Sequence, residues 1–135
     1  MRIAAGLICF LSAFCVIAFG AQAPFTFDAM MRIARIDEPS LSPDGRMVAF
    51  QVQTVDMAAN TKPVQIYVVP MDESAPPRQI TQQGNNTRPR WSPDSKRIFF
   101  VSDRSNSSQV WSMNPDGTDA RQVTNLPTEA DGEIV

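Results

Sequence analysis

Trp91-Ser92-Pro93-Asp94-Ser95-Lys96-Arg97-Ile98-Phe99-Phe100-Val101 is the stretch whose reading decides the fold. An earlier stretch, Leu41-Ser42-Pro43-Asp44-Gly45-Arg46-Met47-Val48-Ala49-Phe50-Gln51-Val52, repeats it at a spacing of fifty residues. Each is a tight turn followed by a short apolar run. Serine at the first position can bond back to the turn backbone, and Pro43 presets φ at the second. Asp44 tolerates the third position, and Gly45 accepts positive φ at the fourth. The pattern predicts a hairpin corner, a type I turn followed by a left-handed residue. Ser95 stands where the first copy has glycine, so a small strain is expected there.

Two further segments recur in the same order. Gln65-Ile66-Tyr67-Val68 is echoed by Gln109-Val110-Trp111-Ser112, forty-four residues on. Arg78-Gln79-Ile80-Thr81 is echoed by Arg121-Gln122-Val123-Thr124, forty-three on. The longer first spacing is accounted for by an insertion between Thr54 and Pro63. A period in the forties with several short strands per unit is the pattern of propeller blades. The expected fold is all-β: two four-stranded antiparallel blades of an incomplete β-propeller, preceded by a signal peptide and a short helix. The expected divisions are a signal at 1–23, a helical lead-in at 24–40 and a partial propeller at 41–135, with blades at about 41–82 and 88–125.

The 135 residues allow one domain, and the net charge of −2 comes from mixed acidic and basic residues. No clustered basic face suggests nucleic-acid binding. Arg2, the apolar run from Ile3 to Phe19 and Ala21-Gln22-Ala23 read as a cleavable export signal. A membrane anchor is the alternative, although about 17 apolar residues is short for a span. Cleavage after Ala23 would leave Pro24 first, and cleavage after Gly20 is the rival. Cys9 and Cys15 both lie in this segment, so no disulfide is expected in the mature chain. The sequence contains no histidine. That excludes a Ser-His-Asp triad, a Cys-His pair or a His-ligated zinc site built from this chain alone.

Phe27, Met30, Met31 and Ala34 fall on one helical face, so a helix is expected over Phe25 to Ile36, capped by Thr26 and ended by Asp37-Glu38-Pro39. It is expected to strap its apolar face onto the first blade. In the first repeat, strands are expected at Met47–Val52, Pro63–Val69 and Arg78–Thr81. In the second they are expected at Arg88–Trp91, Arg97–Val101, Gln109–Met113 and Ala120–Thr124. Asn114-Pro115-Asp116-Gly117 has the same turn chemistry as the corners. Asn125 to Val135 reads as a linker into a further unit. Two blades cannot close a ring of four to eight, so the chain is expected to be the opening of a longer reading frame, with open strand edges.

The repeats, together with the lead-in from Phe25 to Pro39, resemble the N-terminal part of a secreted prolyl oligopeptidase family serine peptidase, the group that includes dipeptidyl and acylaminoacyl peptidases. The resemblance covers essentially all of the mature chain, and the repeats by themselves are shared with TolB-type periplasmic propellers. It implies a propeller that caps an α/β-hydrolase domain and admits short peptides. The family's nucleophile sits in a Gly-x-Ser-x-Gly elbow of that hydrolase domain. Ser42, Ser92, Ser102, Ser105, Ser107, Ser108 and Ser112 all lack such an elbow. Asp37-Glu38 and Asp72-Glu73 do not match the glutamate pair with which some members bind a substrate amino terminus. Asp44, Asp94 and Asp116 are explained by their turns rather than by calcium. Trp91 and Trp111 read as core rather than as an aromatic platform.

No catalytic, cofactor-binding or metal residue is therefore expected, and no cofactor. The expected partners are the rest of the propeller, a hydrolase domain and peptides, with no nucleic acid and no membrane after signal removal. The expected location is exported, either periplasmic or secreted. The alternative function is a TolB-type periplasmic propeller acting as a protein-binding module, and a duller one is a gene remnant.

Ile98, Phe99, Phe100 and Val101 are apolar on both faces of the pleat, as in a sheet covered on both sides. Burying these four side chains is worth roughly 6–12 kcal/mol gross. Phe100→Asp is accordingly expected to unfold the module outright, read as loss of the cooperative urea transition.

Overall fold

The computed structural model describes residues 24–130. The expected signal at 1–23 lies outside them, as do residues 131–135. Two four-stranded antiparallel sheets follow one another along the chain, each a simple meander. The first contains β1 (Arg35–Leu41), β2 (Met47–Gln53), β3 (Val64–Pro70) and β4 (Arg78–Gln79). The second contains β5 (Asn86–Trp91), β6 (Ile98–Ser102), β7 (Gln109–Met113) and β8 (Arg121–Gln122). Neither sheet is closed on itself, and each has the strand order of a propeller blade.

The largest departure from expectation lies ahead of the first corner. The helix α1 is Phe27–Met31, much shorter than Phe25 to Ile36. The Thr26 hydroxyl caps it, accepting from the Ala29 amide at 3.2 Å. None of its residues is buried, and Phe27 and Met30 are exposed, so the expected strap against the blade is not formed. Asp37-Glu38-Pro39, expected to end a helix, instead lies inside β1, and the first sheet begins at Arg35 rather than Leu41. An edge strand tolerates proline because one row of its amides has no ladder partner. β1 pairs with β2 from Arg35↔Gln53 to Leu41↔Val48, with a bulge between Asp37 and Ser40. Glu38 takes up the bulge at φ 51°. β5 bulges at the matching place, between Thr87 and Arg90, with Arg88 at φ 55°. Glu38-Pro39 and Arg88-Pro89 share the fifty-residue spacing of the corners, so the repeat extends further upstream than the turns alone suggest.

The two corners are superimposable in their bonding. The Ser42 hydroxyl donates to Asp44 Oδ1 at 2.6 Å and accepts from the Met47 amide at 2.9 Å. Asp44 Oδ1 also accepts from the Arg46 amide at 3.1 Å. Ser92, Asp94, Lys96 and Arg97 repeat these three bonds at 2.6, 3.1 and 2.9 Å. Gly45 has φ 72° and Ser95 has φ 59°, as the turn chemistry requires. Ser95 holds this conformation at a cost of about 1 kcal/mol. Its hydroxyl accepts from the Asp44 amide at 3.1 Å and so ties the second corner to the first.

The other echoes form a latch at the outer edge. Thr81 accepts from the Ile66 amide at 2.9 Å and donates to Gln65 Oε1 at 2.7 Å. Thr124 does the same with Val110 and Gln109, at 2.9 and 2.8 Å. Gln65 Oε1 then receives Asn86 Nδ2 at 3.0 Å, the first residue of the next inner strand. Gln109 Oε1 receives the Leu126 amide at 3.0 Å instead. Each glutamine therefore sets the path by which the chain leaves its blade.

The core lies between the sheets. Ala49, Ile66, Val68 and Ile80 of the first meet Ile98, Phe100 and Met113 of the second. Phe100 and Ile98 are fully buried, while Phe99 is only half-buried, so burial on both faces of β6 is incomplete.

Ser42→Ala is expected to cost about 1–2 kcal/mol by leaving the Met47 amide without its acceptor, measured as a lower urea midpoint. Hydrogen bonds from Ser42, Ser92 and Thr118 respectively, reinforced by backbone amides, hold Asp44, Asp94 and Asp116 below the ordinary carboxylate value. Their contribution to stability is fully present above the unfolded carboxylate pKa of about 3.9 and is lost as pH falls through the depressed folded values. The urea midpoint is therefore expected to drop below about pH 4, and Asp94→Asn is expected to flatten that acid limb.

Candidate functional site

Several residues with reactive potential are dispersed and engaged in hydrogen bonds of the blades. Ser42 and Ser92 belong to their corners. Ser102 is buried and accepts from Arg104 Nε at 2.9 Å, and Ser112 accepts from Arg97 at 3.1 Å. Ser107 accepts from Gln109 Nε2 at 3.2 Å. Asp119 is bracketed by Arg121 at 2.7 Å and Arg97 at 3.1 Å, and these bonds lower its pKa. Among the described residues no three His, Cys, Asp or Glu side chains come together.

The groups that converge do so at the joint between the blades. Its inner rim carries the Glu38–Arg90 ion pair at 3.0 Å and the Trp91 indole N–H donating to the Ser40 carbonyl at 2.9 Å. At the outer rim Arg78 donates to the Asp116 and Pro115 carbonyls at 2.7 and 3.1 Å. Gly117 lies against Ile80, so close that a β-carbon there would stand 2.9 Å from the Ile80 carbonyl oxygen. Beside these runs a groove of about 410 Å³ that includes Arg78, Gln79, Gln83, Arg104 and Thr118, with Ile80 and Met113 among its apolar residues.

Arg104 is the most constrained cation of the groove. Its guanidinium lies 4.8 Å from the centroid of the Trp111 ring and 5.2 Å from that of Phe100. It donates to Asn86 Oδ1 at 2.6 Å. Burial lowers its pKa, opposed by the neighbouring Asp103. Arginine nonetheless remains charged at neutral pH. Stacking on two aromatic rings while bonded to two blade side chains makes Arg104 a brace between β5, β6 and β7. The Trp111 indole N–H is buried without an acceptor. Both groove guanidiniums donate to oxygens of the blades.

Trp91 and Trp111, expected in the core, are half-buried and packed against it. Asp37-Glu38 and Asp72-Glu73 are not brought together: Glu38 pairs with Arg90, while Asp72 caps a turn by accepting from Ser74 at 3.1 Å. The roles of Arg104 and of the Gln–Thr latches were not read from the sequence. The latches had a signal, since Gln65/Thr81 and Gln109/Thr124 recur at nearly equal offsets. Arg104 had none, because its counterpart position lies in the dissimilar insertion between Thr54 and Pro63.

The TolB β-propeller domain family matches residues 34–131. Dipeptidyl-peptidase 5 of Porphyromonas endodontalis is 36% identical over 104 residues, covering 76% of this chain and 15% of that protein. The chain thus spans about 15% of the length of this curated relative. Among solved structures, the apo AtxE2 isopeptidase superposes with a TM-score of 0.69 at 22% identity, over 79% of this chain and 21% of that one. A putative TolB from Agrobacterium tumefaciens gives 0.53 at 26% identity, over 70% of this chain and 31% of that one. With meander blades, repeated Ser-Pro-Asp corners and a family match that takes in both sheets, the chain belongs to the TolB β-propeller domain family.

Proposed function

We propose that the chain is the opening of the propeller domain of an exported prolyl oligopeptidase family serine peptidase. The observation that carries this reading is the 36% identity to a dipeptidyl-peptidase over 104 residues, 76% of this chain. The chain itself contributes no catalytic residue. Nucleophile, acid and histidine come from an α/β-hydrolase domain in the parent protein, and the propeller governs which peptides reach it. The braced joint between the blades suits that task, since a gate must keep its shape while substrate passes. Export rests on the apolar leader at 1–23.

A second reading is a TolB-type propeller that binds proteins without an attached enzyme. The similarity to the Agrobacterium tumefaciens protein supports it.

The deciding measurement is the coding sequence beyond Val135, followed by assay of its full-length product. A propeller followed by a Gly-x-Ser-x-Gly elbow, and release of dipeptides from short peptides, is the expected result. A complete propeller with no elbow, together with capture of an envelope protein, would transfer the assignment to the binding module.

A further inference from the structure

The groove at the outer rim is walled by both blades. β4 and the Thr81–Gln83 link form one side, and Arg104 with the turn at Asp116–Gly117 forms the other. Its apolar floor is Ile80 and Met113, both part of the core between the sheets. The groove therefore belongs to the one contact the two sheets make with each other. Ala49 and Phe100 face that contact, so Phe50 and Phe99, next to them along β2 and β6, lie on the opposite faces of their sheets. Blades stacked on those opposite faces leave the groove as it is.

Positive charge in the groove is not matched by negative charge. Two carboxylates lie nearby, and both are taken up by neutral donors. Asp116 accepts from the Thr118 amide and hydroxyl at 2.9 and 2.6 Å. Asp103 accepts from the Asn85 amide and side chain at 2.7 and 2.9 Å. Among the described residues neither Arg78 nor Arg104 forms an ion pair, unlike Arg90, Arg97 and Arg121. Arg104 has five N–H donors and commits two of them, to the Ser102 hydroxyl and to Asn86 Oδ1. Its other donors, and the side-chain amides of Gln82 and Gln83 on the same groove, have no acceptor among the described residues. Burial lowers the Arg104 pKa, which marks a cation short of solvation. The stacks on Trp111 and Phe100 already hold the guanidinium in place, so little freedom is lost when it takes up a further acceptor.

We infer that this groove binds a carboxylate carried on a small apolar body. The carboxylate accepts from the uncommitted N–H groups of Arg104, with the Gln82 and Gln83 amides as further donors, and the apolar body lies over Ile80 and Met113. A guanidinium donates to a carboxylate through two parallel bonds, which makes Arg104 the anchor. At about 410 Å³ the groove has the size of a small-molecule site. A polypeptide C-terminus with an apolar last residue and a free aliphatic acid share this chemistry. The inference rests on the groove alone and is independent of the peptidase reading.

The two tryptophans provide the test, because each gives one indole N–H signal in a proton–nitrogen NMR spectrum of the full chain. Trp111 lies against Arg104, whereas the Trp91 indole is held by the Ser40 carbonyl at the inner rim. Titration with N-acetyl-leucine is expected to move the Trp111 signal saturably and to leave that of Trp91 in place. N-acetyl-leucinamide, which lacks the charge, is expected to bind at least about tenfold more weakly. Arg104→Gln is expected to abolish the response. Gln83→Glu puts a negative charge in the groove without touching a bond of the blades, and is expected to weaken binding about tenfold even should Arg104→Gln misfold. A stronger response to N-acetyl-leucine than to hexanoate assigns the groove to a polypeptide C-terminus, and the reverse assigns it to a free acid. A Trp111 signal indifferent to both carboxylates, an equal response to the amide, or binding unchanged in Gln83→Glu overturns the inference.

Discussion

The contact between Phe100 and the first sheet is the constraint on which the rest depends. A single four-stranded meander of this size has no interior of its own. Only when Ile98, Phe100 and Met113 close over Ala49, Ile66, Val68 and Ile80 does either sheet gain a dry face. Burial of this kind is non-directional and would permit the sheets to slide. The polar contacts at its rim remove that freedom. Trp91 to Ser40, Arg90 to Glu38, Arg78 to the Pro115–Asp116 carbonyls and Ser95 to Asp44 each tie a named point on one blade to a named point on the other. The exposed ion pair adds little energy and much registration.

Within each blade the chain is held by short closed circuits. The corner serine and aspartate satisfy the turn amides that a strand-to-strand reversal leaves unpaired. The latch glutamine and threonine do the same for the outer edge, where β4 and β8 are only two residues long and supply few ladder bonds. Because these circuits are local, they form the same way in both repeats despite different neighbours. Glu38 and Arg88 show the converse. Both adopt positive φ before a proline, a strained arrangement maintained because β2 and β6 pin the strand on either side of the bulge.

This division of labour bears on function. The chain spends its polar side chains on shape: serines in corners, threonines in latches, arginines as braces across the joint. The relatives that the chain matches include proteins named as peptidases.

Corners and the meander order were legible in the sequence because each depends on residues close in the chain. Ser-Pro-Asp-Gly specifies its own turn, and Gln65/Thr81 and Gln109/Thr124 recur at nearly equal offsets, although their bonding to one another was visible only in the structure. β1 was misread because an exposed edge strand need not alternate, and the helical spacing of Phe27, Met30 and Met31 ran into it without a break. Arg104 stacked on Trp111 and Phe100, Gly117 set against Ile80, and the exposure of Leu41 and Val123 were decided only in three dimensions. The sequence by itself determined what each blade is, since turns and strand pairing are local. The tertiary structure decided which face of each blade is used, because that depends on a neighbour many residues away.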